Sequence, residues 1–583
     1  MVAGWKPPIT RPLCLRLFVL ASLAVLSVAA GCGKLRGPSA AKSEPPPRSF
    51  DDLGTHHHEI TTRSPLAQQY FDQGLRLSYA FNHDEARIAF REAARLDPDC
   101  AMCWWGVAYT LGPNYNLPAD PERDREAWTA VEKARAAAPR ASERERAYID
   151  AISKRYAADV PANRHPLDEA WANAMGDVAK RYPQDLDAAT IQAEALMDLQ
   201  PWDLWTHDGE PKGRALEIVA ELERVLAADP QHPGANHYYI HAVEASKDPG
   251  RGVASADRLR DQHLGAGHLV HMPSHIYVRV GRYADATEAN AKAMAVDEAY
   301  IRKWNIQGPY AEMYYPHNVH FRAFAAGMEG RSAESIENAR KVAGFLPPDA
   351  MEHMPMLEGI AASTYFTLVR FGRWDEVLAE PAPESRFRYL TAIRHWARGI
   401  AHAARGQLRE GGTEQKALNA IRAHMPAGLL ATQVNKGTDL LGVASNHLAG
   451  TIAAKQKRWN EAVKRLETAV KLEDSLVYME PADWFNPIRP FLGATLLEAG
   501  RAREAEAVYR EDLRHNPENG WSLDGLETSL ARQGKTEEAA AVHKRFAAAW
   551  ARADVAPTVW PLAARGSSAT AAAEEASAGL PAR

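Results

Sequence analysis

The 583-residue sequence has only four cysteines and a net charge of only −5. So few cysteines exclude a disulfide-built scaffold, and the balanced charge leaves no electrostatic footprint for nucleic acid. The sequence has no Gly-rich phosphate loop, no nucleophile elbow and no HExxH pair. Their absence argues against P-loop, α/β-hydrolase and zincin-type chemistry. No stretch alternates with period 2 for long enough to suggest a sheet. Hydrophobic content of 46% and charged content of 25% are those of an ordinary globular chain.

One long apolar run does occur. Lys6, Arg11 and Arg16 precede LFVLASLAVLSVAA, which ends in Ala29-Ala30-Gly31-Cys32. A positive region, a short apolar core and small residues at the end are the layout of a secretory signal, and the run is too short to span a bilayer stably. The Ala-Ala-Gly-Cys ending resembles the lipobox of bacterial lipoproteins. That resemblance implies lipidation at Cys32, with plain cleavage after Ala30 as the alternative. Gly33, rather than Asp, follows the cysteine, which in Gram-negative lipoproteins points to the outer membrane. The expectation is an exported cell-envelope protein facing the periplasm, touching the membrane through a lipid anchor only. Residues 1–31 are then the signal peptide, and 32–59 a Pro-rich flexible tether. Cys14 leaves with the signal, so Cys100 and Cys103 are the cysteines left in the folded body.

Residues 67–100 carry Tyr70, Gly74, Leu77, Ala86, Phe90, Ala93 and Pro98 at positions 4, 8, 11, 20, 24, 27 and 32 of a 34-residue unit. The frame returns around Tyr277, Ala286 and Ala293, around Phe324 and Ala333, and around Gly450, Ala462 and Leu466. It returns again around Gly493, Ala505 and Tyr509, and around Leu530, Ala539 and Phe546. This pattern resembles the tetratricopeptide repeat (TPR), two antiparallel helices packed through small residues at 8 and 20. The resemblance implies an all-α solenoid, a right-handed superhelix of helical hairpins whose first helices line a concave groove, and a protein or peptide partner in that groove. The expected organisation is an N-terminal array with degenerate units over 60–300, a C-terminal array over 301–562, and a disordered tail over 563–583.

Histidine is unevenly spread. Nine of the 22 fall between His232 and His320, where an even spread predicts about 3.4. His237 and His241 stand at i and i+4, with Glu244 three further on, so all three share a helix face. GHLVHMPSH opens a unit, with Met272, Pro273 and Ser274 turning the chain, His271 before the turn and His275 after it on the groove helix. His317 and His320 sit on the first helix of the next unit. Together with Tyr277 these residues form the candidate ligand groove.

Imidazole suits copper, zinc, nickel and iron, so His237, His241, His271, His275, His317 and His320 form a candidate metal set. Met272 and the MEHMPM stretch lean it toward copper over zinc, and Glu244 is a third ligand or the general base for a bound water. Two readings stay open: a protein-binding groove in which imidazoles and tyrosines stack and hydrogen-bond, or a periplasmic copper or zinc protein. Catalysis is expected only in the second.

Cys100-Ala-Met-Cys103 at a helix start is either a local disulfide or a thiolate pair. THHHE at 55–59 reads as a solvated loop, QPWDLWTHDGEPK as a hydrophobic plug or a cap on the groove, and YMEPADWFNPIRP as the lead into a repeat unit.

Overall fold

Glycines decide how closely the helices pair. A Cβ on Gly74 or Gly106 would stand 2.8 or 2.3 Å from the Phe90 ring, and one on Gly493 or Gly525 would stand 2.5 or 2.1 Å from the Tyr509 ring. Each ring therefore seats in a hollow that two glycine-bearing helices leave for it. Phe90 is fully buried, and burying a ring of that size contributes about 1.5–3 kcal/mol. Gly74 with Phe90, and Gly493 with Tyr509, are positions 8 and 24 of the repeat, so the frame read from sequence is also the packing frame.

The computed structural model describes residues 46–557, apart from 263 and 309. The signal segment, Cys32, the first half of the tether and the tail 563–583 lie outside the described residues. Among the described residues helices follow one another from Pro65–Tyr79 to Thr536–Ala549, and β-structure is limited to isolated bridges. Ser64 caps the first helix, with Pro65 at a position whose N–H has no helical partner. None of the described helices is long and apolar enough to cross a membrane.

The fold is an α-solenoid. Pro65–Tyr79 packs on His83–Leu96, Gly437–Lys455 on Trp459–Asp474, and Gly520–Arg532 on Thr536–Ala549. The degenerate middle continues the array, since Glu143–Ile152, His165–Arg181, Leu186–Met197, Ala215–Ala228 and Pro233–Val243 each pack on the next. From Pro46 on the chain forms one compact unit, and the helix Tyr283–Trp304 runs across residue 300.

Successive turns of the array also touch one another. The Tyr300 hydroxyl donates to Glu85 at 2.9 Å, and the Ser332 backbone N–H donates to Asp554 at 2.6 Å. Arg370 reaches the segment between two later helices, donating to Asn486 Oδ1 at 2.9 Å and the Phe485 carbonyl at 2.6 Å.

Candidate metal centre

Three pieces of backbone bring the imidazoles together. The helix Pro233–Val243 carries His237 and His241, with Glu244 at its end. Gly267–His271 and Pro273–Arg279 abut through Met272, whose backbone is itself helical (φ −51°, ψ −36°). The chain therefore does not turn at Met272-Pro273-Ser274 as expected. Proline is tolerated at the start of a helical segment, and His268, His271 and His275 fall at i, i+3 and i+7 on one face. Tyr315–Met328 adds His317.

In the first group, His237, His241 and His268 place ligand nitrogens within 4.8 Å of one another. All three residues are buried, at 0%, 2% and 2% exposure. His237 Nδ1–H donates to the Tyr79 carbonyl at 2.7 Å, and His241 Nδ1–H donates to Glu244 Oε1 at 2.9 Å. These bonds leave each Nε2 as a bare lone pair, and neither Nε2 has a hydrogen-bond partner. His268 has no partner on either nitrogen. Burial pushes the His237, His241 and His268 imidazoles below their usual range, so all three are neutral. Orphaned buried polar atoms cost about 1–3 kcal/mol each. Neutral imidazoles with the second nitrogen fixed by a carbonyl or carboxylate are the form in which histidine binds metals.

The second group is His271, His275 and His317. His271 Nε2 lies 2.8 Å from His275 Nε2 and 3.1 Å from His317 Nε2. Asn290 donates through Nδ2 to the Ala286 carbonyl, so its Oδ1 accepts from His271 Nδ1–H at 2.7 Å. His275 Nδ1–H donates to Glu244 Oε2 at 2.6 Å, and Glu480 Oε2 stands 3.2 Å from the same nitrogen as an ion-pair partner. Against its own burial, which lowers it, Glu244 and Glu480 raise His275 to about 10. One imidazolium serves one carboxylate. Against its own burial, Glu244 is held below the usual range by His275 and His241, whereas burial pushes Glu480 up. Glu244 thus faces an imidazole from each group, and His241, Glu244 and His275 also bring ligand atoms within 4.8 Å of one another.

Aromatic side chains wall the centre. Phe81 packs on His237 and His268, Tyr115 and Trp202 on His241, and Tyr314 on His268. Trp202 is held at φ 61°, a strained backbone for a bulky residue, with its ring 5.5 Å from that of His241. Two expected residues point elsewhere. Tyr277, two residues after His275 and so about 200° round the helix, donates its hydroxyl to Asp257 at 2.7 Å. His320 stacks on Phe485 at 5.4 Å and joins no ligand group. In MEHMPM, His353 is exposed and bonds the Asp349 carbonyl.

Sequence reasoning missed His268, although its i, i+3, i+7 spacing with His271 and His275 was available. It also missed Glu480, which sits in the long connection between Trp459–Asp474 and Arg489–Glu498; helix connections usually run 2–8 residues.

THHHE is solvated only in part: Thr55, His57 and Glu59 are exposed, whereas His56 and His58 turn onto Asp187. His56 Nε2–H and His58 Nδ1–H donate to the two oxygens of Asp187 at 2.8 and 2.7 Å, and the Tyr79 hydroxyl donates at 2.5 Å. His232 Nδ1 accepts from the Ala235 backbone N–H, so its Nε2 carries the proton, and it faces Asp187 at 3.3 Å. This carboxylate is saturated with donors and ties residues 56–58 onto the solenoid. Cys100 and Cys103 are joined as a buried disulfide, which removes the thiolate-pair alternative.

No family model and no curated protein matches the chain. Among solved structures, the human IFIT1 dimer with PPP-AAAA is similar at 14% identity and TM-score 0.31, over 81% of this chain and 88% of that one. The APC/C hetero-tetramer Cut9-Hcn1 follows at 12% identity and TM-score 0.30 (80% and 76%), and yeast Tom70 at 10% and 0.26 (83% and 90%).

Proposed function

We propose that this protein is a transition-metal-binding solenoid whose primary site is His237, His241 and His268. One observation carries this reading: three neutral imidazoles converge inside the fold with their free nitrogens unpartnered, while His237 and His241 have the other nitrogen anchored. Imidazole donors select copper, zinc, nickel or iron, and three of them leave a coordination position open. When bound, such an ion supplies Lewis acidity or redox chemistry. The chain holds the three donors neutral and oriented, and its aromatic wall limits access by water.

The burial of His237, His241, His271 and His275 at 2% or less disfavours these residues as the floor of an open peptide groove. Export, with anchoring at Cys32, is part of the proposal, supported by the apolar run and lipobox-like ending described above.

Elemental analysis of tag-free protein tests the reading. We expect at least one equivalent of copper or zinc per chain after reconstitution, reduced in His237→Ala. Retention of less than about a tenth of an equivalent would sink it, because a site that binds only when folded must show its metal in the folded chain.

A further inference from the structure

We infer that the centre holds two ions, the second on His271, His275 and His317, next to the first and sharing Glu244 as a support. The inference rests on the metal reading above and extends it from one ion to a pair.

Geometry carries it. The three ring separations in the first group are 4.9, 5.0 and 6.3 Å, and those in the second are 4.7, 4.8 and 5.8 Å. The two triangles are nearly the same size. They abut through His241 and His275 at 5.3 Å and through His268 and His271 at 5.8 Å.

His271 is the decisive residue of the second group. Its Nδ1 is committed to Asn290, so its Nε2 is acceptor-only, yet two other imidazole nitrogens face it at 2.8 and 3.1 Å. A single N–H on His275 would satisfy one of those contacts. A cation among the three satisfies all of them. Tetrahedral coordination at a metal–nitrogen length of about 2.0–2.1 Å separates neighbouring nitrogens by about 3.3 Å, close to the spacing already present.

The support is also duplicated. In the first group a carbonyl and Glu244 hold the outer nitrogens of His237 and His241, and in the second Asn290 and Glu244 hold those of His271 and His275. Glu244 uses Oε1 for His241 and Oε2 for His275, so one carboxylate fixes an imidazole in each triangle. Such supports typically account for 10–100-fold in metal affinity. No imidazole has to be shared, because the six side chains divide into two complete sets. The ligand class is the same for both ions, a first-row transition metal that takes imidazole nitrogen, and at the second site it must displace the Nε2 proton that His275 carries.

The test is stoichiometry in the full chain, stripped of metal, reloaded with Cu(II) or Zn(II) alone, passed through gel filtration and analysed for the ion. Two equivalents are expected for the unaltered chain, one for His317→Ala, one for His268→Ala, and fewer than a tenth for the double variant. One equivalent, lost in His268→Ala and kept in His317→Ala, overturns the second ion and leaves the primary site standing. No bound metal at all overturns both. Because His317→Ala could disturb folding, the unaltered chain also serves alone. With two Cu(II) loaded, the electron paramagnetic resonance signal should be lost or split by coupling between neighbouring ions. Two full, uncoupled Cu(II) signals would overturn the pairing.

Discussion

Two regions of this molecule gather histidines around a buried point, and they do opposite things with them. Around Asp187, the His56, His58 and His232 nitrogens that face the carboxylate all carry protons, and a tyrosine hydroxyl joins them. Around His268, the nitrogens face one another as lone pairs with no acceptor or donor between them. Histidine content alone does not separate the two. The outer partners do, because a carbonyl or carboxylate on Nδ1 exposes a lone pair inward, whereas a backbone N–H on Nδ1, as at His232, turns a proton inward. The first region is a clasp in which protonated nitrogens meet a carboxylate, and the second is the set of converging imidazole nitrogens to which the proposed metal site is assigned.

That contrast can be broken from either side. Asp187→Ala should have the largest effect, a loss of about 3–5 kcal/mol in denaturant unfolding, since it strips the acceptor from several buried donors, with metal content unchanged. Metal loss in that variant would mean the clasp is a ligand set after all. His268→Ala should do the reverse, lowering metal affinity by well over ~100-fold in a chelator competition while leaving the metal-free chain folded. Glu244→Gln should weaken affinity by about 10–100-fold, the range for a group that orients a ligand.

A pH effect sharpens the comparison further. Against the penalty of burial, His56 and the hydrogen bonds from His232, His56 and His58 hold the Asp187 carboxyl well below its usual range. Burial works against His58 too, but its hydrogen bond to Asp187 raises it. A depressed carboxyl contributes above its unfolded value of about 3.9 and is lost as pH falls through its folded value. A raised imidazole contributes below about 6.5 and is lost as pH rises through its folded value. Hydrogen exchange of residues 56–60 should accordingly be slowest, after correction for intrinsic rates, between about pH 4 and 6.5. The smallest effect is expected for Trp202→Ala, a faster removal of bound metal by chelator with little change in affinity; an unchanged rate would remove Trp202 from the access route.

How much of this was legible in the sequence follows the range of each contact. The repeat frame sets neighbour-to-neighbour packing, so Gly74 with Phe90 and Gly493 with Tyr509 could be read directly. It also placed His237, His241, His271, His275 and His317 on neighbouring helices. Helix rotation decided the rest. His320 is about 60° round from His317, enough to set it against Phe485 instead, and Tyr277 faces away from His275 altogether. Proline at 273 suggested a turn, but a helical Met272 kept His268 on the same face as its neighbours. Glu480 approaches His275 from 205 positions away, and the clasp spans 129 positions from His58 to Asp187. Both depend on turns of the solenoid closing on each other, and a nearest-neighbour repeat pattern does not specify that closure.

The central claim, that the unpartnered imidazoles and not the clasp hold the metal, is tested most directly by anomalous diffraction. A crystal of the reloaded chain would be measured on either side of the absorption edge of the bound metal. The account predicts a peak at about 2.0–2.1 Å from Nε2 of His237 and His241 and from one nitrogen of His268. A peak at Asp187, or no peak within the imidazole cluster, would contradict it.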